Sequence, residues 1–272
     1  MKATVFLGGG RITAALLAGL RLARYKAPIV VHDRNPGKLR AMEKEFGVGV
    51  EPDLLTAVAQ ARLLIVAVRP SDVGDLLKTI RESIRTAIAQ QGNHRFIACS
   101  LAAGIRLSNL QRMLGPPIRW ARAMPSPVAR SGQGLTAVTF QRGFPHADRL
   151  RVRQFFTPVG GVLEVPEKRF DAFTVTYSAS HGYHALAALA KAGQAAGLDR
   201  RVALVASAHA LADGIIAWRE GKYSLESLLE EAATPGGVAA TTMAAMDAAG
   251  YRKAVGKGVG AGLRRARANR RP

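Results

Sequence analysis

Short apolar runs alternate with longer amphipathic stretches through the first half of the chain. The runs at 3–7, 28–33, 62–68 and 96–101 lack polar alternation, which is typical of parallel strands covered on both faces. Apolar residues recur every three or four positions between them, and this spacing predicts helices over 12–24, 36–46, 52–60 and 71–91. Further strands are predicted over 118–123, 135–140 and 162–165. Strands separated by helices predict a doubly wound α/β sheet.

The pattern changes after about residue 170, where the sequence becomes rich in alanine and leucine. Apolar residues at three- and four-residue spacing predict helices over 182–196, 199–219, 224–232, 238–248 and 251–268. Alanine permits close approach of helices but supplies little apolar volume per residue. We therefore expect this all-helical half to complete its core against a second copy of the chain, as a homodimer or a higher homo-oligomer. An ordinary monomeric helical domain is the alternative.

A glycine turn lies at 8–13, between the first apolar run and the first predicted helix. In a strand–turn–helix unit, Gly8 and Gly10 allow a tight turn, and the amides at the helix start, with Arg11 and Ile12, can meet a pyrophosphate. Asp33 ends the second predicted strand at about the ~20-residue distance that a dinucleotide site requires. The third small position is Thr13 instead of glycine or alanine, so a purely structural turn remains the alternative reading.

Composition limits the classes of protein that fit. The 272 residues are 48% hydrophobic, which is enough for one large domain or two medium ones. We expect neither a membrane span nor a signal peptide, because the chain has no run of about 18 apolar residues and no basic start followed by an apolar stretch. The lone Cys99 lies in an apolar run and is predicted to be buried, which fits a cytoplasmic protein.

The chain is strongly basic, with a formal net charge of +20 and a pI of about 11.2. Its basic residues are scattered apart from a cluster at 264–271, and no basic segment is interleaved with aromatic residues. A solvated, arginine-rich surface is therefore expected instead of a nucleic-acid site. The six histidines show no spacing typical of metal ligands, and neither a P-loop nor a nucleophile elbow is present. We predict no metal.

Seven short segments in order carry a resemblance to a known family. They are Gly8–Gly10, the run beginning Asp33-Arg34-Asn35-Pro36, Ala67-Val68-Arg69-Pro70, Ser100-Leu101-Ala102-Ala103-Gly104-Ile105, Arg122-Ala123-Met124-Pro125, Gly132-Gln133-Gly134-Leu135 and Thr234-Pro235-Gly236-Gly237. Together they resemble the pyrroline-5-carboxylate reductases over essentially the whole chain. The resemblance implies a Rossmann-type dinucleotide-binding domain over 1–166, and a helical dimerisation and substrate-binding domain over 167–272.

The resemblance also implies an activity and a set of site residues. The activity is NAD(P)H-dependent reduction of 1-pyrroline-5-carboxylate, a cyclic imine carboxylate, to L-proline in proline biosynthesis. The implied cofactor contacts are Gly8, Gly10, Arg11, Ile12, Asp33, Arg34, Lys38, Val68, Arg69, Pro70, Ala102, Ala103, Gly104, Met124, Pro125 and Ser126. The implied substrate contacts are Ser178, Ser180, Gly182, Gly236 and Gly237, in a loop before a helix at 183 and in a glycine turn.

Residues after the second predicted strand bear on the choice of cofactor. Asp33 can accept hydrogen bonds from a ribose 2′-hydroxyl, which favours NADH. Arg34 and Lys38 offer cations that suit a 2′-phosphate, and Arg11 can reach the same group from the helix start. Because many family members combine this Asp-Arg-Asn-Pro run with NADPH, we predict NADPH, with NADH possible as a second donor.

Three segments depart from the family pattern where the chemistry is expected. Ser126-Pro127-Val128 replaces Asn-Thr-Pro, and Val238-Ala239-Ala240 offers no hydroxyl where the family tends to have threonine. His181 and Tyr183 stand in the predicted substrate loop and are candidate catalytic residues, although His181 also fits an exposed loop histidine. Two alternatives therefore stay open: a reductase of a different imine or keto acid, and a non-catalytic dinucleotide-binding paralogue.

Overall fold

A computed structural model describes residues 2–90 and 96–269 of the chain. Its strands are β1 (Ala3–Leu7), β2 (Ile29–His32), β3 (Gly49–Val50), β4 (Ala61–Val66), β5 (Phe96–Ser100), β6 (Ile118–Met124), β7 (Gly134–Phe140) and β8 (Gly160–Glu164). Its helices are α1 (Arg11–Leu22), α2 (Pro36–Phe46), α3 (Leu54–Ala59), α4 (Val73–Gln90), α5 (Leu107–Met113), α6 (His146–Phe156), α7 (Glu167–Thr176), α8 (Ala179–Ala195), α9 (Arg200–Arg219), α10 (Leu225–Ala232), α11 (Val238–Ala248) and α12 (Tyr251–Ala268).

The strands form one sheet in the order β3-β2-β1-β4-β5-β6-β7-β8. All neighbouring pairs are parallel except β6 with β7. The order reverses between β1 and β4, which is the switch point where open α/β sheets bind their ligands. The carboxyl ends of β1, β2, β4, β5 and β6 therefore lie along one edge, and the predicted doubly wound sheet is confirmed.

Successive side chains of the central strands point to opposite faces of the sheet and pack into two separate hydrophobic cores, one on each face. On one face Val5 and Leu7 pack with α4 and the buried Trp120. On the other face Phe6 packs with α1 and with Phe155 of α6. Because both faces are covered, the central strands β1, β4 and β5 consist mainly of apolar residues, as the sequence pattern indicated. Cys99 is fully buried in the second core, as predicted, and burial raises the pKa of its thiol.

Several elements were not predicted. β3 has only two residues, and α5, α6 and α7 all lie in segments that carried no helix prediction. The helix predicted over 71–91 begins at Val73, after a short 3-10 helix at Pro70–Asp72, and the predicted end at 91 lies outside the described residues. The remaining predicted helices and strands occur within a few residues of their expected bounds, as is usual for helix and strand ends.

The chain divides into two compact units with bounds that differ from the predicted domains 1–166 and 167–272. The first unit comprises Met1–Tyr177 and Gly262–Pro272, and the second is Ser178–Ala261. Helix α7 packs with the first unit because its Phe170 is fully buried beside Ala137 and Val165. The hydroxyl of Tyr177 also accepts a hydrogen bond from the Leu135 amide at 2.8 Å. The end of α12 belongs to the first unit as well.

The helices of the second unit leave many apolar side chains exposed. By length and composition alone, α9 is apolar enough to cross a membrane, yet only 11% of its apolar window is buried within the chain. Its exposed apolar residues are Val202, Leu204, Val205, Ile215, Ile216 and Trp218. Exposed apolar surface on this scale marks an interaction site. An oligomer interface fits the predicted dimer, while the absence of a membrane span stays a prediction.

Candidate functional site

The glycine turn after β1 is shaped by close contact with the end of β4. Gly8 has a φ of +116°, and a Cβ atom there would stand 2.7 Å from the carbonyl oxygen of Ala67. No side chain fits this position without displacing backbone. The buried hydroxyl of Thr13 donates to the Gly8 carbonyl at 2.6 Å and closes the turn from the helix side. Thr13 therefore has a structural role here that its departure from the usual small residue did not reveal.

Helix α1 begins with an N-terminus suited to an anion. Gly10 is its N-cap residue, makes no side-chain cap, and is followed by a first turn without acidic residues. The Ala14 amide bonds the Gly10 carbonyl at 3.0 Å, so the earlier amides, including those of Arg11 and Ile12, precede the helical ladder. Such amides, together with the positive end of the helix dipole, favour a phosphate group.

Asp33, just past β2, holds the glycine turn. Its Oδ2 accepts the Gly9 amide at 2.8 Å, its Oδ1 accepts the Asn35 amide at 2.9 Å, and Lys38 Nζ lies 3.4 Å from Oδ2. Burial raises the pKa of this carboxyl, but the two amides and Lys38 outweigh burial, so its pKa lies below the ordinary value. The stabilisation is present above the ordinary pKa of 3.8 and is lost as the pH falls through the lowered pKa.

A cavity of about 430 Å³ opens beside this turn, at the switch point between β1 and β4. Seven predicted cofactor contacts line it: Gly8, Gly10, Asp33, Arg34, Lys38, Val68 and Arg69. The Arg34 side chain is 89% exposed at its rim and lies 3.9 Å from the Asp72 carboxylate, which also lines the cavity. Because Asp33 faces inward onto the turn, Arg34 is the more accessible of the two side chains.

Two further predicted turns follow β5 and β6 along the same edge. The turn at 102–104 is held by the residue that follows α12, because the Asn269 side-chain amide donates to the Ala103 carbonyl at 3.2 Å. A Cβ atom on Gly104 would collide with the carbonyl oxygen of Ala266. In the other turn, at 124–126, the buried Ser126 hydroxyl accepts the Val128 amide at 3.2 Å and caps a short 3-10 helix. The contacts with the 102–104 turn join residues that are more than 160 positions apart in the chain, and no local sequence signal indicated them.

The predicted substrate loop at 178–182 is wrong in its local structure. Helix α8 begins at Ala179 instead of 183, because Ser178 caps it by accepting the Ser180 amide at 3.4 Å. The hydroxyl oxygens of Ser178 and Ser180 are 2.7 Å apart. His181 and Gly182 therefore belong to the first helical turn, and the Tyr183 side chain is 66% exposed.

The predicted glycine turn before α11 forms as expected. Gly236 has a φ of +76°, and Gly237 caps the helix without a side-chain acceptor. The hydroxyls of Thr241 and Thr242 donate to carbonyls one turn earlier, at 3.0 and 2.9 Å. Within residues 2–90 and 96–269, no three His, Cys, Asp or Glu side chains cluster as a metal site would require.

Both halves of the chain match models of known protein families. A family model described as NADP oxidoreductase, coenzyme F420-dependent, matches residues 4–99, and one described as pyrroline-5-carboxylate reductase dimerisation matches residues 167–269. The chain is 30% identical to the pyrroline-5-carboxylate reductase of Mycobacterium tuberculosis, over 94% of this chain and 92% of that protein. It is 32% identical to that of Thermus thermophilus, over 96% and 95%.

The fold is similar to that of a solved structure from the same group of proteins. The crystal structure of Plasmodium falciparum pyrroline carboxylate reductase with NADP bound has a TM-score of 0.86 to this chain. The match covers 99% of this chain and 98% of that one at 18% sequence identity. This structural match supports the fold, a Rossmann-like sheet followed by a helical domain.

Proposed function

The chain belongs to the pyrroline-5-carboxylate reductase family, and we propose that it reduces 1-pyrroline-5-carboxylate to L-proline with NADPH. Relatives of this name align over nearly the whole chain at 30% and 32% identity. The observation that carries the proposal is the cavity at the β1–β4 switch point, beside an uncapped helix start and the exposed Arg34. This donor set fits a phosphorylated dinucleotide.

Different residues around the cavity would bind different parts of the cofactor. Amides at the start of α1 are suited to the pyrophosphate, and Gly8 allows the backbone to approach it. The rest of the cofactor would be flanked by the turns at 102–104 and 124–126 and by Val68, Arg69 and Pro70. When bound, NADPH supplies the hydride that adds to the C=N carbon. Most of the catalytic benefit then comes from holding the two reactants in the right geometry.

Arg34 is proposed to set the preference for NADPH over NADH. We expect Arg34→Ala to lower kcat/KM for NADPH about tenfold, or ~1.4 kcal/mol, and to change the value for NADH less than about twofold. The reason is that only NADPH carries a 2′-phosphate for the guanidinium to bind. Arg40→Ala is the control, because Arg40 lies on α2 but does not line the cavity. An unchanged NADPH-to-NADH ratio in Arg34→Ala would refute the assignment.

Two helix starts in the second unit are proposed to bind the substrate. Ser178, Ser180 and Gly182 lie at the start of α8, and Gly236 and Gly237 precede α11. Neither helix has an acidic residue in its first turn, so both N-termini favour an anion. The carboxylate of a cyclic imine acid is such an anion. This assignment rests on the exposed helix starts and on the resemblance of both segments to the family.

His181 and Tyr183 are proposed to contact the reacting imine from the first two turns of α8. We expect His181→Gly to lower kcat/KM for the imine about tenfold, with the Kd for NADPH unchanged. His146→Gln, on α6 in the first unit, is the control for loss of a histidine away from the proposed sites. Wild-type turnover of the imine in His181→Gly would end the proposed role of His181.

The second unit is proposed to bind a second copy of the chain. The family model for dimerisation spans 167–269, the segment that contains the exposed apolar face of α9. A homodimer would remove this face from water, and apolar burial of that kind drives association. We also propose a cytoplasmic location and no role in nucleic-acid binding, although the chain carries a net charge of +20.

The reaction is tested with purified protein, NADPH and a panel of substrates. Turnover should be highest with 1-pyrroline-5-carboxylate and lower with other cyclic imines and with keto acids plus an amine. His181 in the first turn of α8 and the exposed Val238 at the start of α11 favour the second candidate, a reductase of a different imine. A higher kcat/KM for another imine would select that candidate. Stoichiometric NADPH binding without any turnover would indicate a non-catalytic paralogue.

A further inference from the structure

A charge cluster of the buried Arg122 and Asp171 with the partly exposed Glu167 joins β6 to α7 within the first unit. The Arg122 side chain, on β6, is only 1% exposed. One of its terminal nitrogens lies 2.9 Å from Glu167 Oε1, and the other lies 3.2 Å from Asp171 Oδ1. Glu167 and Asp171 are four residues apart on α7, so both carboxylates face the same strand. A single guanidinium thus fixes one face of this helix.

The same cluster reaches a third segment and an apolar contact. Glu167 Oε1 also accepts the backbone amide of Leu107, the first residue of α5, at 2.9 Å. The Arg122 guanidinium stacks over the Phe170 ring at 4.6 Å, and Met124 packs against the small core that contains Phe170. The end of β6, the start of α5 and the first two turns of α7 are therefore held by one set of contacts.

These contacts lie next to both turns that are proposed to flank the cofactor. Arg122 is two residues before Met124 in the 124–126 turn, and in the sheet it pairs with Ser100 of β5. The Ser100 hydroxyl accepts the Ala102 amide at 3.2 Å, at the start of the 102–104 turn. Leu107 follows that turn. The cluster is thus fastened to the strand before each turn and to the helix after one of them.

A contribution to stability does not by itself account for such a cluster. A buried ion pair gains little over well-packed apolar residues, since the desolvation of both charges opposes their attraction. A buried arginine instead fixes the positions of its partners, because its planar guanidinium can bind two carboxylates at once. Small displacements of a reacting group have large kinetic effects, of the order of 100-fold for about 1 Å.

We infer that Arg122, Glu167 and Asp171 form a positioning cluster that fixes the turns 102–104 and 124–126 against the reactive end of the cofactor. This inference rests on the proposed function. None of the three side chains needs to touch cofactor or substrate, because the cluster acts through the backbone of β6 and α5. Its loss should therefore alter the hydride-transfer step more than the affinity for the cofactor.

The test compares Glu167→Gln and Asp171→Asn with the wild type. Each substitution keeps the side-chain shape and removes one negative charge. Glu164→Gln is the matched control, because Glu164 pairs with Arg149 at the same 2.9 Å distance but on the surface of the first unit. The measurements are kcat, KM and Kd for NADPH, the isotope effect on kcat with NADPH deuterated at C4, the fluorescence lifetime of bound NADPH, and the thermal midpoint.

We expect Glu167→Gln to lower kcat about tenfold and to raise the isotope effect, with the Kd for NADPH changed less than about twofold. Asp171→Asn should act in the same direction, and the control should match the wild type. A lower thermal midpoint with unchanged kcat and isotope effect in both variants would overturn the inference, because the cluster would then serve folding alone.

The fluorescence lifetime separates this inference from the proposed function. If the wild type does not reduce 1-pyrroline-5-carboxylate, the proposed function fails, and the lifetime of bound NADPH then decides about the cluster. A changed lifetime in Glu167→Gln at an unchanged Kd supports positioning of the nicotinamide end. An identical lifetime in wild type and both variants overturns it.

Discussion

Gly8→Ala is expected to raise the Kd for NADPH about 100-fold, or ~2.7 kcal/mol. The added Cβ would stand 2.7 Å from the Ala67 carbonyl oxygen, at a φ of +116° that residues with a side chain rarely adopt. Either the segment that follows β4, at Ala67 and Val68, or the glycine turn must move, and both line the proposed dinucleotide cavity. The Kd is measured by NADPH fluorescence, and the fold is checked by circular dichroism.

Gly74→Ala is the control for this prediction. Gly74 lies in α4, and a Cβ there meets no atom within 4 Å, so the variant should bind NADPH like the wild type. If Gly8→Ala binds NADPH with wild-type affinity, the close approach of Gly8 to β4 does not shape the cofactor site. The cavity at the switch point would then have another role.

Ile216→Asp is expected to give a monomer and to reduce turnover at least about 100-fold. Ile216 is exposed on α9, the helix that the chain itself leaves mostly uncovered. A carboxylate buried in an apolar interface is strongly unfavourable, so a second copy would no longer associate. Light scattering after size-exclusion chromatography gives the mass, and NADPH oxidation gives the turnover.

The control places the same charge on an exposed apolar residue outside the dimerisation segment. Leu163, on β8, is such a residue, and Leu163→Asp should retain both the wild-type mass and turnover. A monomeric wild type, or an Ile216→Asp variant that keeps its mass, would contradict the proposed interface. A monomeric variant with full activity would show that the active site does not depend on the second copy.

The doubly wound sheet could be predicted because its central strands are buried on both faces and so contain unbroken apolar runs. β3 was missed because two residues are too few to form a pattern. Helix α6 was missed because arginine and other polar residues fill most of it, while Val152, Phe155 and Phe156 alone reach the core. Such helices are stabilised mainly by tertiary packing, and the local spacing of apolar residues does not reveal that packing.

The glycine turn at 8–13 was predictable because its chemistry is local. The orientation of Asp33 was not, because its carboxylate meets the Gly9 amide, 24 residues away in the chain. The helical start of α8 follows from the Ser178 cap, a signal that can be read from the sequence but that competed with the expectation of a substrate loop before a helix at 183. One feature of the Arg122 cluster is visible in the sequence: its two carboxylates are four residues apart, on what the structure shows to be α7.

Reduction of 1-pyrroline-5-carboxylate with NADPH deuterated at C4 is the decisive experiment for the proposed reaction. We expect the reduced-nicotinamide absorbance to fall and proline that carries one deuterium to form in equal amount, because the hydride passes from the cofactor to the imine carbon. NADPH that binds without being oxidised, or that is oxidised without labelled proline, would contradict the proposed reaction.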